Sequence, residues 1–522
     1  MDNLKIVCVA FAMSAVSVVK AGGILTNTNQ NIAFNRNMAR DGVIAIDGVY
    51  SNPAGVAFLP NGLHLSFNNQ SAFQTRTIQS GITVPAFQGT PFYQPFNLNG
   101  GVNGIKEFEG EASAPIIPSI QAALNYDKWG FQASFAMVGG GGKCTFNHGL
   151  ASFERTVSLV PAVLAQAQQT YQSQYGVDLG LGSQTPSYSL SSYMKGQQYI
   201  FGLQLGTTYK FNEHLSAYAG FRFNYIYNKY EGNIKGITAN INGTNENLYD
   251  YLGLKANAMT EQAAAYKAQS AAMAQTNPEV AAQLERGAAL AAGGATTMEN
   301  VRLQLADRYL DCTQNGWSID PIIGLDFRYG KLNIGTRLEF TTHFNIQNNT
   351  KVDDTGLFAD GVNTPADMPG LFTIGAQYEV LPTLRVMGGY HYFFDKDARM
   401  DKDKQKLLEG NTWEYNAGVE VDVTKDLMLS AGMQKTNYRL GDGSFLSDMS
   451  FVTSSYSIGF GGQVRLNDKM KLNVAYFWTT YDDFDKSYKQ DFSAAGQTIT
   501  ADCTDTFSRT NKVFGVGLDI DL

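Results

Sequence analysis

The stretch Lys512-Val-Phe-Gly-Val-Gly-Leu-Asp-Ile-Asp-Leu522 alternates without a break: Phe514, Val516, Leu518, Ile520 and Leu522 fall on one side, Val513, Gly515, Gly517, Asp519 and Asp521 on the other. Successive side chains of a strand point to opposite faces, so this is a strand with one apolar face and one small or polar face. Tyr456, Ile458, Phe460, Val464 and Leu466 stand in the same way against Ser455, Ser457, Gln463 and Arg465, and Met470, Leu472, Val474, Tyr476 and Trp478 repeat the pattern. An apolar face of this length, alternating with Gly, Ser, Asn, Asp and Arg, fits the wall of a transmembrane β-barrel, whose outside meets lipid and whose inside meets water or packed polar groups.

Working outward, such runs recur at 62–68, 118–127, 129–139, 198–210, 214–228, 320–330, 331–343, 370–380, 383–393, 413–424, 426–437, 452–466, 469–482 and 509–522. The gaps alternate between tight turns, as at Asp127-Lys128, Phe211–Glu213, Gly330-Lys331, Leu381-Pro382, Lys425-Asp426 and Asn467-Asp468, and long connections. Short periplasmic turns and long extracellular loops are the signature of an outer-membrane barrel. The expected fold is therefore all-β, a 14-stranded antiparallel transmembrane barrel over 61–522, with long extracellular loops at about 140–197 and 229–318. Two loops carry helices of their own. Ala-rich 256–296, with Asn277 as N-cap before Pro278 and Glu279, reads as a helical hairpin or a pair of short helices, and 160–175 reads as another.

Composition agrees. Of 522 residues only 16% are charged, against about 25% in ordinary soluble domains. The 32 Phe and 27 Tyr exclude disorder, and a mean hydropathy of −0.20 excludes a polytopic helical membrane protein. A net charge of −8 with no Lys/Arg cluster argues against a nucleic-acid partner, since phosphate binding needs a basic footprint. The run Ile6–Val19 falls short of the ~20 residues a spanning helix needs. With Met1–Lys5 before it and Val19-Lys20-Ala21 after it, 1–21 reads as a signal peptide cleaved after Ala21, so the mature chain is expected to be exported. Removing Cys8 leaves Cys144, Cys312 and Cys503, too far apart for a local metal motif; one disulfide and a free thiol stay open, with no readable pairing.

Residues 22–60 do not alternate, yet Ile32-Ala33-Phe34, Met38, Val43-Ile44 and Ile46 make them too apolar for a free tail, so they are expected inside the lumen as a plug. Tyr50–Ala57 then turns at Asn52-Pro53, where Pro53 fixes φ. The tripeptide Asn52-Pro53-Ala54, placed between such a segment and a fourteen-strand pattern, resembles the FadL family of outer-membrane transporters for long-chain fatty acids and other hydrophobic compounds, aromatic hydrocarbons among them. Trp129-Gly130, Met368-Pro369-Gly370 before Gly375-Ala376-Gln377-Tyr378, and Phe507-Ser508-Arg509-Thr510 extend the resemblance over nearly the whole mature chain. Ending on Leu522 departs from the aromatic terminus usual in outer-membrane barrels.

The resemblance implies that 22–60 is a hatch, gated around Asn52, Pro53, Ala54 and Gly55. It implies passive uptake of a hydrophobic ligand from outside, with sideways release into the membrane through a gap at a kink of the third strand. Here that strand is expected to end in Gly139-Gly140-Gly141-Gly142, and a glycine run suits a bulge or opening in a barrel wall. Expected partners are the ligand, outer-membrane lipid and, for insertion, the barrel assembly machinery.

No enzyme, cofactor or metal is expected. His64, His148, His214, His343 and His391 lie in no nucleophile, zinc or nucleotide motif. The Asp395, Asp397, Asp401, Asp403 cluster lacks the Gly and terminal Glu of a calcium loop and reads as a solvated acidic loop. The charges Arg222, Asp326, Arg328, Arg337, Glu339, Arg385, Glu420 and Arg465 fall on polar strand faces. They are expected to pair with each other and with Arg36, Arg40, Asp41 and Asp47 rather than to line an ion-selective channel. The competing readings are a porin for polar solutes and an outer-membrane hydrolase.

Overall fold

Inside a bilayer every backbone N–H and C=O has to find a partner within the protein, and a sheet avoids orphaned edges only by closing on itself. A computed structural model describes residues 26–494 and 497–522; the proposed signal peptide lies outside them. In chain order the strands are β1 (Gly62–Thr83), β2 (Ile105–Tyr126), β3 (Trp129–Phe146), β4 (Tyr188–Lys210), β5 (Leu215–Ile241), β6 (Thr244–Asn247), β7 (Arg308–Tyr329), β8 (Leu332–Glu339), β9 (Asn345–Asp353), β10 (Asn363–Pro365), β11 (Leu371–Leu381), β12 (Leu384–Phe393), β13 (Trp413–Asp422), β14 (Leu427–Asn437), β15 (Ser455–Asn467), β16 (Met470–Tyr481), β17 (Phe484–Ala494) and β18 (Gln497–Asp521).

Fourteen of them close the barrel in the order β1, β2, β3, β4, β5, β7, β8, β11, β12, β13, β14, β15, β16, β18 and back to β1. Every pairing is antiparallel, and each of the fourteen runs expected from the sequence lies on one of these strands. The remaining four are additions at the loop end: β6 folds back on β5, β9 lies beside β7, β10 beside β9 and β17 beside the start of β18.

At the loop end the strands run further than expected. β1 continues to Thr83 where its alternating run ends at 68, and β18 begins at Gln497 rather than 509. The expected loops 140–197 and 229–318 therefore shrink to 147–187 and 242–307. β3 likewise does not end at the glycine run but continues through it to Phe146. Beyond the bilayer neither face of a strand has to be apolar, so the ladder continues while the alternation that reveals it fades.

The lipid face carries Leu124, Phe131, Phe221, Leu325, Met433, Phe460 and Phe514, all large, apolar and exposed. At the tight-turn end Tyr126, Trp129, Tyr209, Phe211 and Tyr329 gather, with the Trp129 and Tyr209 rings 4.8 Å apart, as in the aromatic girdle at a membrane boundary. Among the described residues no helix is long and apolar enough to cross a membrane.

Two short helices, α1 (Ile32–Arg36) and α2 (Gly48–Ser51), lie inside the barrel. Between β3 and β4 stand α3 (Ala151–Ser158) and α4 (Val160–Tyr175); between β6 and β7 stand α5 (Leu248–Met273) and α6 (Pro278–Gln304). Asn277 caps α6 by accepting from the Val280 N–H at 3.3 Å, with Pro278 as first helical residue, as the sequence suggested. Leu159, Val163, Leu248, Leu252, Met298 and Val301 pack from these helices onto Ile237 and Phe108 of the strand extensions, forming a core over the outer mouth. Cys144, Cys312 and Cys503 are each free and buried.

Candidate functional site

Residues 26–59 fill the lumen. Ile32, Met38, Val49, Ala54 and Val56 are fully buried there. Asn31 starts α1 by accepting from the Ala33 N–H at 2.8 Å, while its amide donates to Gln121 Oε1 at 2.7 Å on β2. Further along, Asn125 donates to the Val56 carbonyl (2.8 Å), Gln132 to that of Pro53 (2.7 Å) and the Ser216 hydroxyl to that of Ala54 (2.7 Å). The wall thus satisfies backbone groups that an irregular segment cannot satisfy for itself.

The wall also makes room for the segment. A methyl at Gly335 would overlap the Asp41 carbonyl oxygen, one at Gly418 the Asn37 amide, and one at Gly459 the Asn35 carbonyl oxygen. In the sequence these positions are merely members of the small, polar face; only the fold shows that the lumenal backbone lies directly against them.

Two buried ion clusters tie this segment to the barrel. In the first, Glu420 on β13 accepts from Arg36 Nη1 at 2.8 Å and Arg40 Nη1 at 2.7 Å, with Arg385 Nε at 3.4 Å. Arg40 also clasps Asp47 with two bonds, and Arg385 clasps Asp422 in the same way. In the second, Glu339 on β8 holds Arg222 at 2.7 Å and Arg337 at 3.3 Å; Arg337 stacks over the Tyr50 ring and donates to the Tyr50 carbonyl. His391 bridges Asp41 of the segment (2.9 Å) and Glu414 of β13 (2.8 Å). Arg222, Arg337, Glu339, Arg385 and Glu420 therefore meet the lumenal segment or its immediate neighbours. Arg328 is exposed at the tight-turn end, its guanidinium 6.0 Å from the Phe58 ring, and Arg465 is exposed there too.

Asn52 is fully buried. Its side-chain amide donates to Asp326 Oδ2 at 2.6 Å on β7, and its Oδ1 accepts from the Gly55 N–H at 3.2 Å, shaping the Pro53–Gly55 turn. Gly55 has no room for a side chain, because a methyl there would collide with the Asn52 amide. The four residues form one anchored turn against β7, with Pro53 and Ala54 held by the bonds from Gln132 and Ser216.

Gly139–Gly142 lie elsewhere, at a break in the wall. β2 and β3 pair from Ala112↔Cys144 at the outer end and from Ile120↔Phe135 to Tyr126↔Trp129 at the inner end, but not between. The β3–β4 register shifts twice across Met137, Gly139 and Gly142. On the β2 side the cause is Pro115 and Pro118, which lack the N–H a ladder needs; the sequence reading passed over this signal. On the β3 side Gly140 and Gly142 take positive φ, 96° and 71°. Some of the freed groups are taken up from inside: the Asn27 N–H donates to the Val138 carbonyl at 2.9 Å, and Thr26 bridges Gly139.

A cavity of about 190 Å³ adjoins this break, lined by Phe34, Ile117, Met137 and Val513 together with polar Asn29, Gln74, Gln434, Ser457 and Asn511. It shares Thr26, Glu414 and Tyr438 with a smaller cavity of about 60 Å³ toward the loops, lined by Phe393, Leu440 and Phe445. Burial pushes the Asp395 carboxyl at this outer cavity up to about 6, against the pull of its bonds to Thr412. Burial, with Lys486 nearby, holds the Lys404 ammonium over the Phe445 ring down to about 8. Between α4, α5 and α6 an apolar groove of about 360 Å³ is lined by Tyr171, Met259, Tyr266, Leu284 and Leu290. The arrangement is a series of spaces from the outer helices to the wall break, in which apolar side chains are mixed with polar ones.

No family model matches the sequence, and no curated protein does either. Solved structures match by shape. The chain superposes on a Pseudomonas aeruginosa FadL homologue with a TM-score of 0.60 at 10% identity, over 96% of this chain and 100% of the other. Its fold is that of a FadL homologue. The deltaS2S3 mutant of TodX, a monoaromatic hydrocarbon channel, matches with a TM-score of 0.50 at 12% identity, over 94% of this chain and 99% of the other. In this FadL-type barrel the Asn52 turn, the broken β2–β3 ladder and the ion clusters are separate devices, joined by the one segment that fills the lumen.

Proposed function

We propose that this protein is an outer-membrane transporter for passive uptake of hydrophobic small molecules, long-chain fatty acids or aromatic hydrocarbons. Residues 1–21 are its cleaved signal peptide, 22–60 its hatch and 61–522 its barrel, inserted by the barrel assembly machinery. The observation that carries this reading is the unpaired stretch of β2 and β3 beside a cavity that Phe34, Ile117, Met137 and Val513 help to line, stoppered from inside by Thr26 and Asn27. A hydrophobic solute is captured in the groove between α4, α5 and α6, passes the outer cavity, and leaves sideways between Pro115–Pro118 and Gly139–Gly142. The drive is transfer into successively better apolar surroundings, and the gate is movement of the hatch around Asn52–Gly55. Likeness to a FadL homologue and to a hydrocarbon channel supports the reading at the level of fold, which by itself does not fix function. The filled lumen speaks against a polar-solute porin.

The test is entry of labelled palmitate, toluene and a small sugar into cells with and without the protein. Faster entry of a hydrophobic probe alone is expected; faster entry of the sugar alone would overturn the proposal.

A further inference from the structure

The outside of the barrel is not evenly filled. On β2 to β5 the lipid-facing positions include Ala122, Ala133, Thr207 and Ala219, small side chains that strand pairing gathers into one band: Ala122 is opposite Ala133, and Thr207 opposite Ala219. Gly206 and Gly220 lie opposite each other in the same band. Around it stand Leu63, Leu124, Phe131, Leu205 and Phe221. The result is a groove of about 520 Å³ in the outer wall, within the ~300–1,000 Å³ usual for small-molecule sites. Of the side chains lining it only Thr207 and Gln132 are polar, and Gln132 turns inward to the Pro53 carbonyl. On the far side of the barrel β14 and β15 present Leu429, Met433, Ile458 and Phe460 to lipid instead.

Its place matters as much as its shape. The inner part of the β2–β3 ladder stops at Ile120↔Phe135, where the wall break begins, and Ala122↔Ala133 is the next outward-facing pair toward the tight-turn end. At about 3.3 Å per residue the groove starts roughly 7 Å from the edge of the break. Ile120 and Phe135, both exposed, form the sill between the two, with the Phe135 ring stacked on Phe201 at 6.3 Å. The groove crosses four strands, from Ala122 on β2 to Ala219 on β5, whereas a lipid chain tethered at its head group stands along the bilayer normal. An untethered molecule follows such a groove better than a lipid tail does.

We propose that this outer groove is a binding site for the hydrocarbon body of the transported solute, which rests there on leaving the wall break before it mixes with membrane lipid. This rests on the transport reading and extends it from the inside of the barrel to the outside. A solute emerging between β2 and β3 otherwise meets packed lipid chains that have to part to admit it. The hollow over Ala122, Ala133, Thr207 and Ala219 receives it with apolar contact on several sides, and a space left unfilled there would forfeit those contacts. Recognition is by apolar surface alone, so a fatty-acid tail and an aromatic ring are both accepted. Once the solute has moved past the sill, Thr26 and Asn27 are free to rejoin Gly139 and Val138 and stopper the break behind it.

The test compares entry of labelled palmitate and toluene into cells carrying wild type, Ala133→Trp, Ala219→Phe or Ala431→Trp, each shown to be folded by heat-dependent gel migration. Ala431 is exposed on β14, away from the break, and controls for a bulky lipid-facing residue. Ala133→Trp and Ala219→Phe should slow entry of the transported probe several-fold, and Ala431→Trp should leave it unchanged. Wild-type entry in both groove variants, or equal slowing by Ala431→Trp, overturns the site. In parallel, photoactivatable derivatives of palmitate, of an alkylbenzene and of phosphatidylcholine are crosslinked to the purified full-length barrel in vesicles. A solute derivative should label the strands around Ala133 and Thr207 more heavily than β14, and less so in Ala133→Trp, while phosphatidylcholine labels all of them alike. Enrichment of phosphatidylcholine in the groove would make it a membrane-lipid site and overturn the solute assignment. If neither palmitate nor toluene enters wild-type cells faster, the transport reading fails by itself. Crosslinking then decides the groove alone: enrichment of a solute derivative keeps the binding site, and an even distribution overturns it.

Discussion

Glu420→Gln is the sharpest perturbation of the lumenal lock. Around Glu420 stand three guanidiniums, Arg36, Arg40 and Arg385, and two more carboxylates, Asp47 and Asp422. When Glu420 is neutralised, Arg40 keeps its paired bonds to Asp47 and Arg385 keeps those to Asp422. Arg36 keeps only the Ser430 hydroxyl at 2.8 Å and the Met428 sulfur at 3.4 Å. The loss is therefore concentrated in one fully buried pair. Removing one partner of such a pair costs about 3–5 kcal/mol, and because glutamine retains an acceptor oxygen the lower figure applies. About 3 kcal/mol corresponds to a shift of roughly 100-fold toward states with the hatch unseated. Conductance of the reconstituted barrel should rise in frequent openings, and trypsin should cut at Arg36 or Arg40 where the wild type resists, while folded gel migration persists. Glu420→Met combined with Arg36→Met removes both charges and should close the barrel again. Wild-type conductance and wild-type protease resistance in the folded Glu420→Gln protein would refute the lock.

Three further outcomes are expected. Asn52→Ala loses the bond to Asp326 and should slow uptake of a hydrophobic probe several-fold with insertion retained; uptake at the wild-type rate in a heat-resistant Asn52→Ala barrel counts against this gate. Gly335→Val pushes a side chain into the Asp41 carbonyl, so it should raise sugar permeability by displacing the hatch, which a liposome-swelling assay reads directly. Lys404→Met should raise the unfolding temperature near pH 7. A base whose folded value is depressed to about 8 destabilises the native state while it is protonated, so wild type should gain on the variant as pH rises from 8 past its ordinary value of 10.5, and unfolding midpoints across that range check the sign.

The sequence discloses the barrel because lipid enforces an apolar face on every crossing strand, and Phe514 to Leu522 shows that demand undiluted. It discloses the lumenal segment through apolar residues such as Ile32 and Met38 that have no strand period to explain them. Its silence begins where that enforcement ends. β1 beyond 68 and β18 before 509 pair just as well but alternate less cleanly, since loops and water cover both faces. The wall break was half legible: four glycines invite attention, whereas Pro115 and Pro118 look like ordinary loop prolines until β2 is seen to run through them. Ala122, Ala133, Thr207 and Ala219 were invisible as one groove, because only pairing across four strands brings them together, just as only closure of β1 onto β18 makes the first strand the neighbour of the last.

That same closure governs the order of assembly. The salt bridge from Arg36 to Glu420 joins residues 384 apart, and His64 meets Asp521 across 457. Contacts so remote in sequence form slowly, since a long loop has to be ordered before any of them can repay it. The lumenal segment, though it precedes every strand, cannot be secured until the strands bearing its partners have arrived. During that interval Arg40 has Asp47 within its own segment, whereas Arg36 still lacks its carboxylate partner beside growing hydrophobic surface. Completion of the ring therefore comes before its contents can be neutralised, and a defect in closure, unlike one confined to the lumenal charges, should appear as protein that never matures.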